Sequence, residues 1–253
     1  MLLKDFDKMI RELLDIDRID PLDVSLNGLQ VSRSKDEIKK VAFAVDACME
    51  SFKRSADLNA DILFVHHGIF WGKPYRITGG LYNRIQFLIK KDIALYGVHL
   101  PLDMHPEIGN NAGIAHRLGL ESIEPFGDYH GLKIGCKGAL PSAKTIDDII
   151  DSIPGRAAEL LAKLNFGPKK IRTIGIVSGG APEVVSQAIA ESIDLYITGD
   201  ASHTVYHEAM EGGINVLSAG HYSTETWGVK LLMKKIESET DLSTVFIDIP
   251  TGL

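Results

Sequence analysis

With 253 residues, 45% of them hydrophobic, and a net charge of -7, the chain can bury one large core or two modest ones, and it lacks the Lys/Arg-rich block of a dedicated nucleic-acid or membrane-surface protein. No apolar stretch nears the roughly 20 residues that span a bilayer, and no basic region followed by an apolar one opens the chain, so a cytoplasmic protein is expected. Cys48 and Cys136 form neither a C-x-x-C pair nor a disulfide framework and read as buried free thiols.

Leu2, Leu3, Phe6, Met9, Ile10, Leu13 and Leu14 recur at helical spacing and predict an opening amphipathic helix with a structural role. In Asn27-Gly28-Leu29-Gln30-Val31, Asn and Gly suit a turn, and Leu29 and Val31 can start a short strand. Val41 to Val45 and Ile62 to Val65 read as strands around a helix over Met49 to Leu58, a β-α-β unit with parallel pairing. The unit ends at His66-His67-Gly68. Imidazole is a frequent metal ligand and α/β folds form sites where strands end, so the pair suits a metal site; one surface and one core histidine is the alternative. Neighbouring strand residues face opposite sides, so both rings are expected to share a site only if the strand stops before them.

Ile69 to Pro74 is apolar and Gly/Pro-punctuated, a pocket wall or a packed loop. Leu81 to Lys91 predicts a helix with Ile85, Leu88 and Ile89 inward, and Ile93 to Leu100 a strand with His99 near its end. Asp103 follows directly, either as a site carboxylate or as the cap of the next turn. Gly109-Asn110-Asn111 leads into a helix that Gly119 stops after Leu118.

The pattern restarts near Pro125, which predicts a first lobe of 1–125 plus 221–253 and a second of 126–220. Leu132 to Leu140 is strand-like, Thr145-x-x-Asp148 resembles a capping box, and Ala157 to Leu164 reads as a helix. Ile171 to Val177 is a strand ending at Ser178-Gly179-Gly180, a strand-to-helix turn before a helix over Glu183 to Glu191 with Pro182 near its first turn. Leu195 to Thr198 is a further strand, ending in Gly199-Asp200-Ala201-Ser202-His203. His203 and His207 have i, i+4 spacing, but surface or supporting roles fit them better than ligation, since Glu208 is misplaced for H-E-x-x-H. Ile214 to Leu217 is a strand delivering His221 to the start of a long helix through Ile236, with Glu225 four residues on; a cap region with a solvated glutamate is the alternative. Thr244 to Ile249 is a last strand returning to the first lobe.

His66, His67, Asp103, His221 and Glu225 all fall at strand ends or a helix start, and together supply three imidazoles and two carboxylates. Such a set suits two divalent ions, zinc, iron, manganese or cobalt, that could activate water for hydrolysis. His99, Asp200 and His203 are further pocket candidates by position.

The chain resembles the Nif-three-like family, the type-2 GTP cyclohydrolase I homologues, through NGLQV at Asn27 to Val31, FVHHGIFW at Phe64 to Trp71, GVHLPLDMHPEIGNN at Gly97 to Asn111, ITGDASH and SAGHYSTE. The resemblance spans nearly the whole chain and corresponds to the short form without an inserted domain. It implies an α/β fold of two similar α/β lobes with mixed sheets flanked by helices, a dinuclear metal site of those five residues in the cleft between the lobes, and a toroidal homohexamer built as a trimer of dimers. It also implies hydrolysis of GTP by metal-activated water, although no P-loop and no clear basic cluster is present for a triphosphate. A small anionic or nucleotide-like substrate is the broader expectation, nucleic acid and membrane are disfavoured as partners, and a non-catalytic metal-binding scaffold or a di-iron redox centre are the alternatives.

Overall fold

The computed structural model describes residues 1–153 and 160–253, which form two compact units. One comprises Met1–Leu102 and Val229–Ile249, the other Asp103–Gly228 and Pro250–Leu253. Among the described residues no helix is long and apolar enough to cross a membrane.

The first unit is built on a five-stranded sheet of β1 (Gly28–Val31), β2 (Lys40–Asp46), β3 (Ile62–His67), β4 (Ala94–Gly97) and β11 (Ser243–Phe246), in the order β1-β4-β3-β2-β11. β11, β2, β3 and β4 run parallel and β1 runs antiparallel at one edge, which makes the sheet mixed. The parallel strands are continuous apolar runs because helices cover both faces. On one face α3 (Met49–Asp57) and α4 (Gly79–Lys91) bring Phe52 and Leu88 onto Leu63, Val65 and Leu95. Phe6 of α1 (Leu3–Leu13) meets Tyr96 edge-on, and Phe64 stacks on Tyr96. α2 (Ile16–Ile19) and a 3-10 turn at Asp20–Leu22 carry the chain from α1 towards β1.

Three local features differ from expectation. The strand ends at Gly97 and not at Leu100: Leu100–Met104 turns into a short helix, α5, so Asp103 is helical. Pro101 is compatible with a first helical turn, which needs no N–H from it, and the Leu100 N–H is held by Asp23 Oδ2 at 3.0 Å. Ile89 is 62% exposed, on the outer face of α4. Cys48 is only half buried and caps α3, its Sγ accepting the Ser51 N–H.

The second unit carries a six-stranded mixed sheet of β5 (Glu121–Tyr129), β6 (Leu132–Lys144), β7 (Ala162–Asn165), β8 (Ile171–Val177), β9 (Leu195–Thr198) and β10 (Asn215–Ser218), ordered β5-β6-β8-β9-β10-β7. Only β8, β9 and β10 pair in parallel. Pro125 sits inside β5, an edge strand where a missing N–H breaks no ladder, so the restart near that residue lies within this sheet. The helix expected over Ala157 to Leu164 is replaced at its end by β7; residues 157–159 lie outside the described ones. Ala162-Lys163-Leu164-Asn165 alternates half-buried and exposed, the period of a strand.

α6 (Asn110–Leu118), stopped by Gly119 in the left-handed region, and α7 (Ile146–Ser152), started by the Thr145–Asp148 capping box, flank this sheet. The segment after Ala181 divides into a 3-10 turn at Pro182–Val184 and a short α8 (Val185–Ala190). α9 (Val205–Gly212) begins after His203, so His203 and His207 do not share a helix face. α10 (His221–Glu239) starts in this unit, and its residues from Val229 onward belong to the first.

Candidate metal-binding residues

In the first unit, β3 extends through His67, yet both rings converge, with centroids 4.6 Å apart. His66 is fully buried and its Nδ1 lies 3.0 Å from the Val98 carbonyl. A carbonyl only accepts, so Nδ1 carries the proton and Nε2 the lone pair. His67 is anchored in the same way by Asp46 Oδ1 at 2.8 Å, and His99 by Asp23 Oδ1 at 2.9 Å. His66, His67 and His99 can each offer one ligand atom such that all three lie within 4.8 Å of one another. Trp71 walls this group, its ring 5.0 Å from that of His99 and 5.8 Å from that of His67, and its indole N–H is held by the Gly68 carbonyl at 3.0 Å.

The residues behind these histidines come from the Asn27 to Val31 stretch and the turn before it. Asn27 is buried; its Oδ1 accepts the His99 N–H at 2.8 Å and its Nδ2 donates to Asp20 and Asp23. Burial alone would raise the Asp23 carboxyl, but the hydrogen bond and charge of His99, the Ser25 N–H and the Asn27 amide hold it below the usual carboxylate range. Gln30 accepts the Ile69 N–H at 2.8 Å and donates to the Leu26 carbonyl at 2.7 Å. A Cβ on Gly68 would stand 2.6 Å from Gln30 Cδ, so a side chain in the turn after His67 would have to displace that carboxamide.

In the second unit, Asp103 is buried and receives Asn110 Nδ2 at 2.8 Å and Ser178 Oγ at 3.0 Å, both on Oδ1. Asn111 fixes the surrounding backbone: Nδ2 donates to the Asp103 and Ile134 carbonyls, and Oδ1 accepts the Ser178 N–H at 2.8 Å. His221 opens α10, with Nδ1 3.0 Å from Asp200 Oδ1 and Nε2 3.3 Å from Oε2 of Glu225 one turn later. Carboxylate oxygens of Glu225 and Asp103 approach within 4.8 Å. Glu225 is buried, so it is not the solvated first-turn glutamate of the alternative reading.

The Ser178-Gly179-Gly180 turn makes room for these side chains. Gly179 has φ +66°, and a Cβ there would overlap Glu225 Oε1 and stand 3.2 Å from His221 Nε2. A Cβ on Gly180 would come within 2.8 Å of Asp200 Oδ2. His203 is exposed and lines a cavity of about 240 Å³ together with Asp200, Leu164, Pro182, Tyr206 and Val216. The sequence thus indicates the residues able to ligate, whereas Asp23, Asn27, Gln30, Asp46, Asn110 and Asn111 emerge only from the structure; their one sequence signal is that four of them sit in the Asn27 to Val31 and Gly97 to Asn111 stretches.

Residues 1–252 match a family profile described as Duf34/NIF3 (NGG1p interacting factor 3). The "GTP cyclohydrolase 1 type 2 homolog" of Archaeoglobus fulgidus is 46% identical over 231 residues, covering 91% of this chain and 92% of its own. Its namesake from Deinococcus radiodurans is 41% identical, covering 98% and 94%. The crystal structure of TTHA1606 from Thermus thermophilus superposes with a TM-score of 0.91 at 37% identity over 100% of both chains.

Proposed function

This chain belongs to the Duf34/NIF3 family, and on that footing we propose that it is a metal-dependent hydrolase whose dinuclear centre is held by His66, His67, Asp103, His221 and Glu225. The observation that carries this reading is how the imidazoles are held from behind: His66 by a backbone carbonyl, His67 by Asp46 and His221 by Asp200. Such anchoring sets the tautomer and orientation of metal-binding histidines. A nitrogen and carboxylate donor set without thiolate fits zinc, iron, manganese or cobalt. Divalent ions of this kind, when bound, polarise a substrate oxygen and bring the pKa of water towards neutrality. The chain's own residues position the donors: Asn110 and Ser178 orient Asp103, the Gly179 turn accommodates Glu225, and Trp71 shields the histidines.

The substrate class we propose is small, anionic and nucleotide-like. The name carried by the relatives makes GTP, through hydrolytic opening of its imidazole ring, the first to assay. We further propose a homohexamer, a trimer of dimers acting in the cytoplasm. Leu22, Val24 and Leu26, 46%, 53% and 51% exposed, offer the first unit an apolar surface for self-association, and the free thiols suit a reducing compartment.

The test is metal content by mass spectrometry for wild type and His67→Ala, with GTP turnover on the same samples and mass by light scattering. Two ions per chain, lost in the variant together with turnover, support the reading. Wild type without metal refutes the centre, and two ions without turnover of any nucleotide refute the hydrolase.

A further inference from the structure

The cavity that Asp200 and His203 help to line has no part in the metal centre, and it lies wholly within the second unit. Its floor is one face of three neighbouring strands. Ser218, the last residue of β10, is in register with Ala162 of β7 on one side and with Thr198, the last residue of β9, on the other. The row before it, Leu164, Val216 and Tyr196, is bulky. Side chains therefore drop from large to small at the carboxyl ends of β9 and β10, where open α/β sheets take their ligands. Ile197 and Leu217 face the other way, into the core. Tyr206 of α9 supplies an aromatic wall, and Phe166 meets its ring edge-on with centroids 5.2 Å apart.

Polar groups in this cavity are few. Ser218 is 3% exposed, and its hydroxyl makes no hydrogen bond to another described residue. A buried hydroxyl without a partner is costly where alanine would pack as well, so its place in a cavity wall points to a ligand. Asp200 gives Oδ1 to His221 and keeps Oδ2 as an acceptor. Among the described residues no lysine or arginine lines the cavity, and Lys163 of β7 alternates to the other face, where it pairs with Asp147. A phosphate here would meet the Asp200 carboxylate with no cation to balance it. At about 240 Å³ the cavity falls below the roughly 300 Å³ at which pockets for drug-sized ligands begin, so it has room for one ring system and not for a nucleoside triphosphate.

We infer that this cavity holds the uncharged ring of the substrate: a flat heteroaromatic of nucleobase size, with an N–H donating to Asp200 Oδ2 and a polar edge meeting the Ser218 hydroxyl. The inference rests on the nucleotide-like substrate proposed above and divides it, placing the ring in the cavity and the phosphates outside. Asp200 then serves the ring and His221 together, which sets the ring beside a proposed metal ligand.

The experiment uses full-length protein, as purified and after chelation, with hypoxanthine as the probe. Equilibrium dialysis reads affinity, and caffeine, which has no ring N–H, is the comparison. Hypoxanthine should bind both forms, caffeine on the order of 10-fold more weakly, and inorganic phosphate should not compete. Ser218→Ala should weaken hypoxanthine about 5–10-fold, and Ala162→Leu, which fills the floor, should abolish its binding. Ser218→Ala removes a hydroxyl that pairs with nothing in the fold, so it keeps the wild-type melting temperature; if Ala162→Leu fails to fold, Ser218→Ala and the caffeine comparison decide. Equal binding in wild type and Ser218→Ala, equal binding of the two probes, or displacement by phosphate overturns the inference. Nucleotide turnover without hypoxanthine binding also overturns it and leaves the hydrolase standing, whereas hypoxanthine binding without turnover of any nucleotide keeps the cavity's role and refutes the hydrolase.

Discussion

Gly179→Ala tests whether the turn after β8 exists to admit Glu225. An alanine at φ +66° carries the left-handed penalty of about 1–2 kcal/mol. Its Cβ would also overlap Glu225 Oε1 and stand 3.1 Å from Glu225 Cδ, and since Glu225 is buried, its displacement adds an overpacking cost of about 1–3 kcal/mol. Gly119→Ala is the control, with φ +72° and no atom within 4 Å of the added Cβ. Both variants stiffen the unfolded chain equally, by about 0.4–1 kcal/mol, so their difference isolates the contact with Glu225. In urea titrations of the metal-free protein, Gly179→Ala should be about 1–3 kcal/mol less stable than Gly119→Ala, and chelator competition should show weaker metal binding only in Gly179→Ala. Equal stability of the two variants, with metal affinity unchanged in both, would refute the reasoning.

Burial pushes the Cys136 thiol up to about 12, and raises the phenols of Tyr96, with help from Asp7, and of Tyr196. The fold favours the neutral form of each, so the unfolded chain loses its protons first: stability should hold below about pH 9 and then fall by about 1.4 kcal/mol per pH unit for each group that has passed its ordinary value, with Cys136→Ala flattening the first part of the decline. A urea midpoint unchanged to pH 11 would contradict this. Tyr96→Phe removes the 2.8 Å hydrogen bond to Asp7 Oδ1 and should cost about 1.5–3 kcal/mol by the same titration; a neutral outcome would mean that water replaces the phenol. Gly68→Ala and Gln30→Ala each disturb the two hydrogen bonds of the Gln30 carboxamide, so the double variant should lose little more than either single one, with a coupling of about 1–2 kcal/mol. Simple additivity would show that Gly68 and Gln30 do not meet.

Much of the sheet framework is legible in the sequence because a strand covered on both faces must be a continuous apolar run. β2 and β3 are such runs, β9 and β10 are buried along their whole length, and Thr145-x-x-Asp148 and Gly119 mark helix ends by local chemistry. β5 is hidden by Pro125, which only an edge strand tolerates, and β7 by having no fully buried residue among its two half-buried and two exposed positions. The apolar run through Leu100 conceals where β4 stops, because the signal for the next helix is Asp23, 77 residues away. The same distance in sequence hides the supporting residues of the site. Histidines and carboxylates declare themselves by type, but Asn27 acquires its role from the His99 N–H, 72 residues on, and Asn110 from the Gly228 N–H, 118 residues on.

Both groups of candidate ligands solve one steric problem in the same way. A strand end that presents a polar side chain must also bring the next turn close to whatever holds that side chain, and a Cβ in that turn would occupy the space. After His67 the missing Cβ is at Gly68, and the space is taken by Gln30, whose two hydrogen bonds fix the chain on either side of β1 and β3. After β8 it is at Gly179 and Gly180, where the space goes to Glu225 and Asp200. The glycines therefore belong to the candidate site as much as the histidines do. In the second group the requirement is stricter, because Gly179 combines close approach with a left-handed backbone that Gly68 does not need, so substitution there cannot be relieved by moving one side chain.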